Sequence, residues 1–309
     1  MNLPIAETVS LGHDRSDPQR SRSKPMLWII YFVSLALLVW FMIEGYSYYS
    51  TPYIERPHHE DYRSLRPAGT TGLLFGYAGS AMMILMLIYS VRKRTRLLGR
   101  SVSLQSLLNF HIYLGVIGPL LIVLHTSFKV QGLVAVSFWS MVAVAASGYF
   151  GRYLYLQIPR NIQGSELTLQ EMERINSDMT TQLQTRFHLD DPAIARLEAV
   201  TTTFAAGYAG GAWRAVMLLL TDDFFRFLAR RRFVRNVMRA VPLPRRELHE
   251  FTRLAFARAL LRRRVALLAH VHQIFHYWHV VHKPFAIIMY LIMLIHIGIA
   301  VWTGYGWAW

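Results

Sequence analysis

The chain has 309 residues, 53% of them hydrophobic, with 33 Lys and Arg against 18 Asp and Glu, and its mean hydropathy is positive. Apolar runs of about twenty residues exclude a soluble core as the whole of the molecule. The absence of cysteine excludes covalent c-type haem attachment, cysteine-ligated iron–sulfur clusters and structural disulfides within this chain.

Residues 1–25 form a basic tail whose SLGHDRSDPQRSRSKP stretch predicts disorder on the cytoplasmic side. No cleavable signal peptide is expected, because the first apolar run starts near residue 26 and is long enough to span a bilayer. That run, MLWIIYFVSLALLVWFMI (26–43), is followed by TGLLFGYAGSAMMILMLIYSV (71–91). Further spans are expected over about 106–128, 133–150 and 284–303. The predicted fold is all-α: an integral membrane bundle of five transmembrane helices with a helical cytoplasmic insert. Helices one to four occupy 26–157, the Arg-rich insert 158–275, and the fifth helix with an outer C-terminus 276–309.

The loop over residues 44–70 contains YSYYSTPYIERPHHEDYRSLRPAG, whose tyrosines suit a membrane interface. His58 and His59 are adjacent, so an extended chain points them oppositely, which disfavours a shared metal ion. In the insert, Thr168 to Glu171 has capping-box spacing, and Asp191-Pro192 suits the start of a second helix. The stretch 203–220 imitates a sixth span. However, Arg214 sits mid-run, Gly210 and Gly211 interrupt it, and Asp222-Asp223 follow at once. A charge at a bilayer centre is costly, so no sixth span is expected. From Arg245 to His270, Leu and Phe recur at helical spacing against an arginine face. Two readings fit: a helix on the inner membrane surface leading into helix five, or a basic face packing on its own domain.

The basic residues are unevenly placed. Arg15, Arg20, Arg22 and Lys24 precede helix one, RKRTRLLGR follows helix two, and twenty more lie from Arg152 to Lys283. Only Arg56, Arg63, Arg66 and Lys129 fall in the two opposite loops. The positive-inside rule then predicts a cytoplasmic N-terminus and a periplasmic C-terminus in a bacterial inner membrane. The charge suits an anionic lipid surface rather than nucleic acid.

Four histidines stand out. His111 and His125 lie in FHIYLGVIGPLLIVLHTSF, His282 and His296 in VVHKPFAIIMYLIMLIHIGIAVW, each pair separated by thirteen residues. Fourteen residues of helix advance about 21 Å and return to within about 40° of the starting direction. Each helix therefore offers two imidazoles on one side, one near each membrane face. Both helices run from inside to outside, which pairs His111 with His282 and His125 with His296. The two pairs are candidate axial ligands to two haem irons. Gly115 and Gly118, at +4 and +7 from His111, would leave room for a macrocycle, though they also suit plain helix packing. Lys129, Arg152 and Lys283 near the helix ends are candidate propionate partners. A proton relay is less favoured because intramembrane carboxylates usually accompany one. His270, His272, His276 and His279 near the fifth helix are either interfacial anchors or a further metal or proton site.

The duplicated histidine spacing, with NFHIYLGVIGPLLIVLHTSF, GYFGRYLYLQIPR and HYWHVVHKPF, resembles the dihaem b-type membrane cytochromes. That group includes cytochrome b of quinol-oxidising complexes and the ferric-reductase-like transmembrane proteins. The same stretches look like a bacterial cytochrome b subunit of a multi-subunit electron-transfer complex. The resemblance covers the five spans and is weak over 160–270. It implies two b-type haems, each with two histidine ligands, and a partner that is a multihaem c-type cytochrome or an iron–sulfur protein. No G-x-G-x-x-G follows a strand-like segment, so the hydride-accepting flavin and nicotinamide domain of ferric reductases is not expected. The PEWY-type loop of quinol-oxidising cytochrome b is also missing, and a quinone site has no motif of its own here.

The expected function is electron transfer across the membrane between a quinone pool or cytoplasmic donor and a partner redox protein. The alternatives are a self-contained quinol-linked reductase of metal or oxygen, and a haem-free membrane anchor that recruits a partner through its basic domain.

Overall fold

The computed structural model describes residues 18–95, 104–159, 167–206 and 245–305, with isolated positions between 217 and 239. The expectations for residues 1–17, most of 203–220 and the last four residues lie outside the described residues. All regular structure among the described residues is helical. Among the described residues, five helices are long and apolar enough to cross a membrane. Contacts divide the described residues into two compact units, one within 18–150 and 279–305, the other within 151–278.

In the first unit, α1 (Pro18–Glu44) leads through the short α2 (Tyr46–Ser50), a 3-10 turn (Arg56–His58) and α3 (Tyr62–Leu65) into α4 (Thr70–Leu85). The helix breaks at Met86 and resumes as α5 (Leu87–Arg94), and α6 (Leu104–His125) follows. Helices α7 (Gly132–Gln157) and α10 (Arg245–Trp302) complete the bundle with their portions inside this unit. Helix α1 starts eight residues before the expected span. Residues 18–25 are helical rather than part of a disordered tail; Pro18 supplies a φ already suited to a first helical turn.

The bundle has little buried surface because lipid is its expected solvent. On α1, Trp28, Phe32 and Ile43 are exposed, and a lipid-facing side chain gains nothing from moving inward. Close contact is confined to seams of small and flexible residues. The most extensive is between α4 and α6, where a Cβ on Gly79 would meet Ile122 Cδ1 at 2.8 Å. Around the seams, Met83, Met86, Leu114, Met141 and Met289 form one buried cluster, and Leu38, Phe75, Ile117 and Leu124 another. Polar side chains tie helices together. Ser137 donates to the Met289 carbonyl (2.9 Å), Tyr290 to the Met83 carbonyl (2.6 Å), and Ser34 meets the Tyr113 hydroxyl (2.7 Å).

The second unit contains α8 (Leu169–Phe187), α9 (Asp191–Ala206) and the first part of α10. The expected capping box is formed: Thr168 accepts from the Glu171 amide and Glu171 from the Thr168 amide. The Thr168 amide and hydroxyl both donate to the exposed Glu171 carboxyl and hold it below the usual carboxylate range. The apolar face of α10 is used within this unit. Phe251, Ala255 and Ala259 pack with Leu183, Phe187 and Leu197, and Leu261 packs with Met172 and Met179. The apolar face of 245–270 thus packs on its own domain, and the same helix leads into the fifth apolar segment. The arginine side is less solvated than expected, since Arg258, Arg263 and Arg264 are buried and Arg258 is paired with Glu198 at 2.7 Å. The fifth apolar segment is also no separate helix. It continues α10 without interruption for 58 residues, with Pro284 inside it. An inner Pro removes one backbone donor, and neighbouring helices can re-satisfy the freed carbonyl.

Candidate functional site: two histidine pairs in the bundle

Helices α4 and α6 are antiparallel, and their register is written in two hydrogen bonds. His125 Nδ1 donates to the Gly72 carbonyl (2.8 Å) and His111 Nδ1 to the Met86 carbonyl (3.2 Å). Gly72 and Met86 are fourteen residues apart, as are His125 and His111. Both imidazoles therefore meet α4 along one seam, one at each end. A carbonyl oxygen only accepts, so the proton in each bond belongs to Nδ1. The in-plane lone pair of both rings must then sit on Nε2, the form a metal ligand requires.

The third histidine is engaged at Nδ1 by a serine. Ser147 Oγ lies 2.7 Å from His282 Nδ1. Ser147 Oγ also lies 2.9 Å from the Val144 carbonyl, so the hydroxyl is held between the ring nitrogen and the backbone of its own helix. Engaging Nδ1 in this way orients the ring, a usual task of groups behind a histidine ligand.

His282 is an electrostatic neighbour of His111, and His125 of His296. His111 and His282 line one cavity of about 260 Å³, walled mainly by Met83, Met86, Leu87, Pro119, Met141 and Val144. Tyr89 lies against the His111 ring at 5.3 Å between centroids. Two cationic side chains, Arg94 and Lys283, also line this cavity, and both are exposed. This is the basic end of the bundle.

The other pair sits at the loop end, where residues 45–69 meet the 126–131 turn. A Cβ on Gly76 would lie 2.7 Å from His125 Nδ1 and 2.8 Å from Cε1. The ring occupies the place of a missing side chain on α4. Beyond His125 the chain turns through two positive-φ residues, Ser127 (47°) and Phe128 (61°). Each costs roughly 1–2 kcal/mol for an L-residue, and for bulky Phe it is a real outlier. Loop contacts hold them there. Arg56 Nη1 donates to the Ser127 carbonyl (2.6 Å), Ser127 Oγ donates to the Leu65 carbonyl, and Tyr53 donates to the Phe128 carbonyl.

Gly115 lines the basic-end cavity, but a Cβ there would meet Met86 Cε at 3.2 Å. Gly118 is buried against Met82 and the Gly79 carbonyl, which makes it a packing glycine. Lys129 is exposed just past the turn. Arg152 belongs to the other unit, where its guanidinium lies over the Tyr155 ring at 5.5 Å. His272 and His276 are exposed, and His276 meets only the edge of Tyr277 among the ring contacts seen. His58 is exposed. His59 accepts from the Asp61 amide at Nδ1 (3.2 Å), so its Nε2–H donates to Ser47 (3.0 Å). Both nitrogens are engaged in holding the loop.

Sequence reasoning missed Gly72, Gly76, Met86, Ser147 and Arg94. A signal existed for part of this: Gly72, Gly76 and Gly79 recur at helical spacing in the second apolar run, marking a face that something approaches closely. No signal marked the Met86 carbonyl, because a backbone acceptor carries no residue type.

The donor set suits a metal-bound macrocycle. Among the described residues, His, Cys, Asp and Glu are not gathered in threes, so each pair offers a metal ion two protein ligands at most. Two suffice when the remaining positions are filled by the cofactor itself. No protein-family model, curated protein or solved structure matches this chain.

Proposed function

We propose that this chain is a dihaem b-type cytochrome subunit of a membrane oxidoreductase, transferring electrons across the bilayer between a quinone pool or cytoplasmic donor and a partner redox protein. The observation that carries this reading is the common engagement of Nδ1. His111 and His125 each commit Nδ1–H to a backbone carbonyl, and His282 Nδ1 is engaged by Ser147. Histidines serving only to join helices need no such uniform arrangement.

His111 with His282 would hold one haem and His125 with His296 the other. Haem supplies one-electron redox chemistry, and two histidine ligands leave its iron no open position for oxygen or substrate. The residues around the pairs have separable tasks. Gly72, Met86 and Ser147 orient the rings and raise their basicity as ligands. The methionines and Val144 exclude water from the basic-end cavity. Arg94 and Lys283 offer cations to haem carboxylates at that end. Basic residues concentrate on the side of the N-terminal tail and the insert, so the positive-inside rule puts the basic end in the cytoplasm and the loop end outside.

The test is a dithionite-reduced minus oxidised spectrum of the purified chain, with a pyridine haemochrome count. Two low-spin b haems per chain are expected. Protein produced with ample haem yet carrying none would overturn the proposal and leave a membrane anchor.

A further inference from the structure

Among the described residues, a heavily engaged charged side chain lies outside the histidine pairs. Arg56 is 6% exposed, and its fork is spent on three backbone carbonyls. Nε donates to Thr51 (2.9 Å), Nη1 to Ser127 (2.6 Å) and Nη2 to Tyr49 (2.8 Å). Its plane lies over the Tyr53 ring at 4.2 Å and near the Tyr48 ring at 5.2 Å. Among the described residues no carboxylate is within ion-pair distance of it.

Carbonyls solvate a guanidinium but do not neutralise it, and arginine does not give up its proton in proteins. The nearby phenols do not supply a counter-charge. Burial pushes Tyr49 up to about 12 and raises Tyr48, with Arg56 pulling each the other way. A whole positive charge is therefore fixed in a poorly hydrated place. Ser127 is two residues past His125, which puts the guanidinium within roughly 10 Å of the His125 backbone. The same residue holds the strained turn that ends α6, so it acts on His125 by position as well as by charge.

We propose that Arg56 is the positioning and potential-setting residue of the loop-end site. This rests on the haem reading for the charge, and on the described contacts alone for the position. A reduced haem carries one more negative charge than an oxidised one, so a fixed cation beside it favours the reduced form. The cations at the basic end, Arg94 and Lys283, are exposed and more strongly screened by salt. The imbalance draws electrons toward the loop-end pair.

Potentiometric titration of the haem-loaded chain in lipid nanodiscs, with R56Q, R56K and Y53F, tests the charge. R56Q lowers the loop-end potential by about 59 mV, a tenfold change for one electron, and leaves the other haem in place. R56K and Y53F keep the cation and most of the potential. Hydrogen exchange over 124–131 tests the position without needing haem. R56Q, R56K and Y53F all speed exchange there, because each loses a bond to the turn. Equal shifts in both haems, or none, overturn the charge role. Unchanged exchange in all three variants overturns the positioning role. A wild-type chain without haem defeats the haem reading and with it the charge role, while exchange still decides the position.

Discussion

The two ends of the bundle use the same imidazole chemistry in opposite surroundings. At the basic end, His111 and His282 line an apolar cavity of about 260 Å³ with exposed cations, and a serine fixes one ring. At the loop end, His125 lies in the space left by Gly76, below a strained turn held by Arg56 and Tyr53. One site is prepared as space and the other as a close-fitting clamp. A clamp depends on the absence of side chains, so it is sensitive to added atoms. A cavity depends on the groups lining it, so it is sensitive to their removal.

The largest effects come from the ligands. His111→Ala or His282→Ala should leave one b haem per chain, as should His125→Ala or His296→Ala, measured by haemochrome count and low-temperature difference spectra. Each pair of variants should lose the same component. If every variant loses both haems, the ends are not independent and the comparison fails.

Next come the glycines. Gly76→Ala places a methyl 2.7 Å from His125 Nδ1 and must displace the ring from the Gly72 carbonyl. The expected cost is about 1–3 kcal/mol, that of overpacking. It should appear as a weakened or high-spin loop-end haem, with the other component unchanged. Gly148→Ala is the control. A Cβ there meets nothing within 4 Å, so it should be neutral or stabilise by up to about 1 kcal/mol through helix propensity. Thermal unfolding with optical detection separates the two.

The cavity end should respond to deletion instead. Ser147→Ala removes the hydrogen-bond partner of His282 Nδ1 and frees the ring. Loss of such a supporting partner typically costs 10–100-fold in affinity, an expectation of about 1–3 kcal/mol. Haem transfer to apomyoglobin should be faster from the basic end only. Equal loss at both ends would mean that Ser147 serves general packing.

Much of this arrangement was legible in the residues, and what was not has physical causes. The five apolar runs read directly, because about twenty apolar residues have few other uses. The histidine pairs also read directly, since a spacing of fourteen returns to one helix face. The groups that fix the rings did not. The Gly72 and Met86 carbonyls carry no sequence signature, and Ser147 looks like any small polar residue in a span. Gly118 fitted a cofactor reading by spacing, yet Met82 and the Gly79 carbonyl occupy that face. The continuity of α10 was hidden because its polarity changes along its length while its helical geometry does not. Arg56 was counted only as a topological charge. Its burial depends on the fold of residues 45–69, which no local pattern announces.

The smallest expected effect sharpens the comparison most directly. Arg94→Gln and Lys283→Gln remove cations that line the basic-end cavity but are exposed. Exposed charges contribute little and are screened, with a Debye length of about 10 Å at 0.1 M salt and about 3 Å at 1 M. Each substitution should lower the basic-end potential by less than R56Q lowers the other, and the shift should shrink as salt is raised. The R56Q shift should persist, because a guanidinium held among carbonyls and tyrosine rings is less accessible to counter-ions. A salt series of redox titrations on the three variants measures this. If all three shifts fall together, the loop-end charge is as open as those at the basic end, and the distinction between clamp and cavity does not extend to electrostatics.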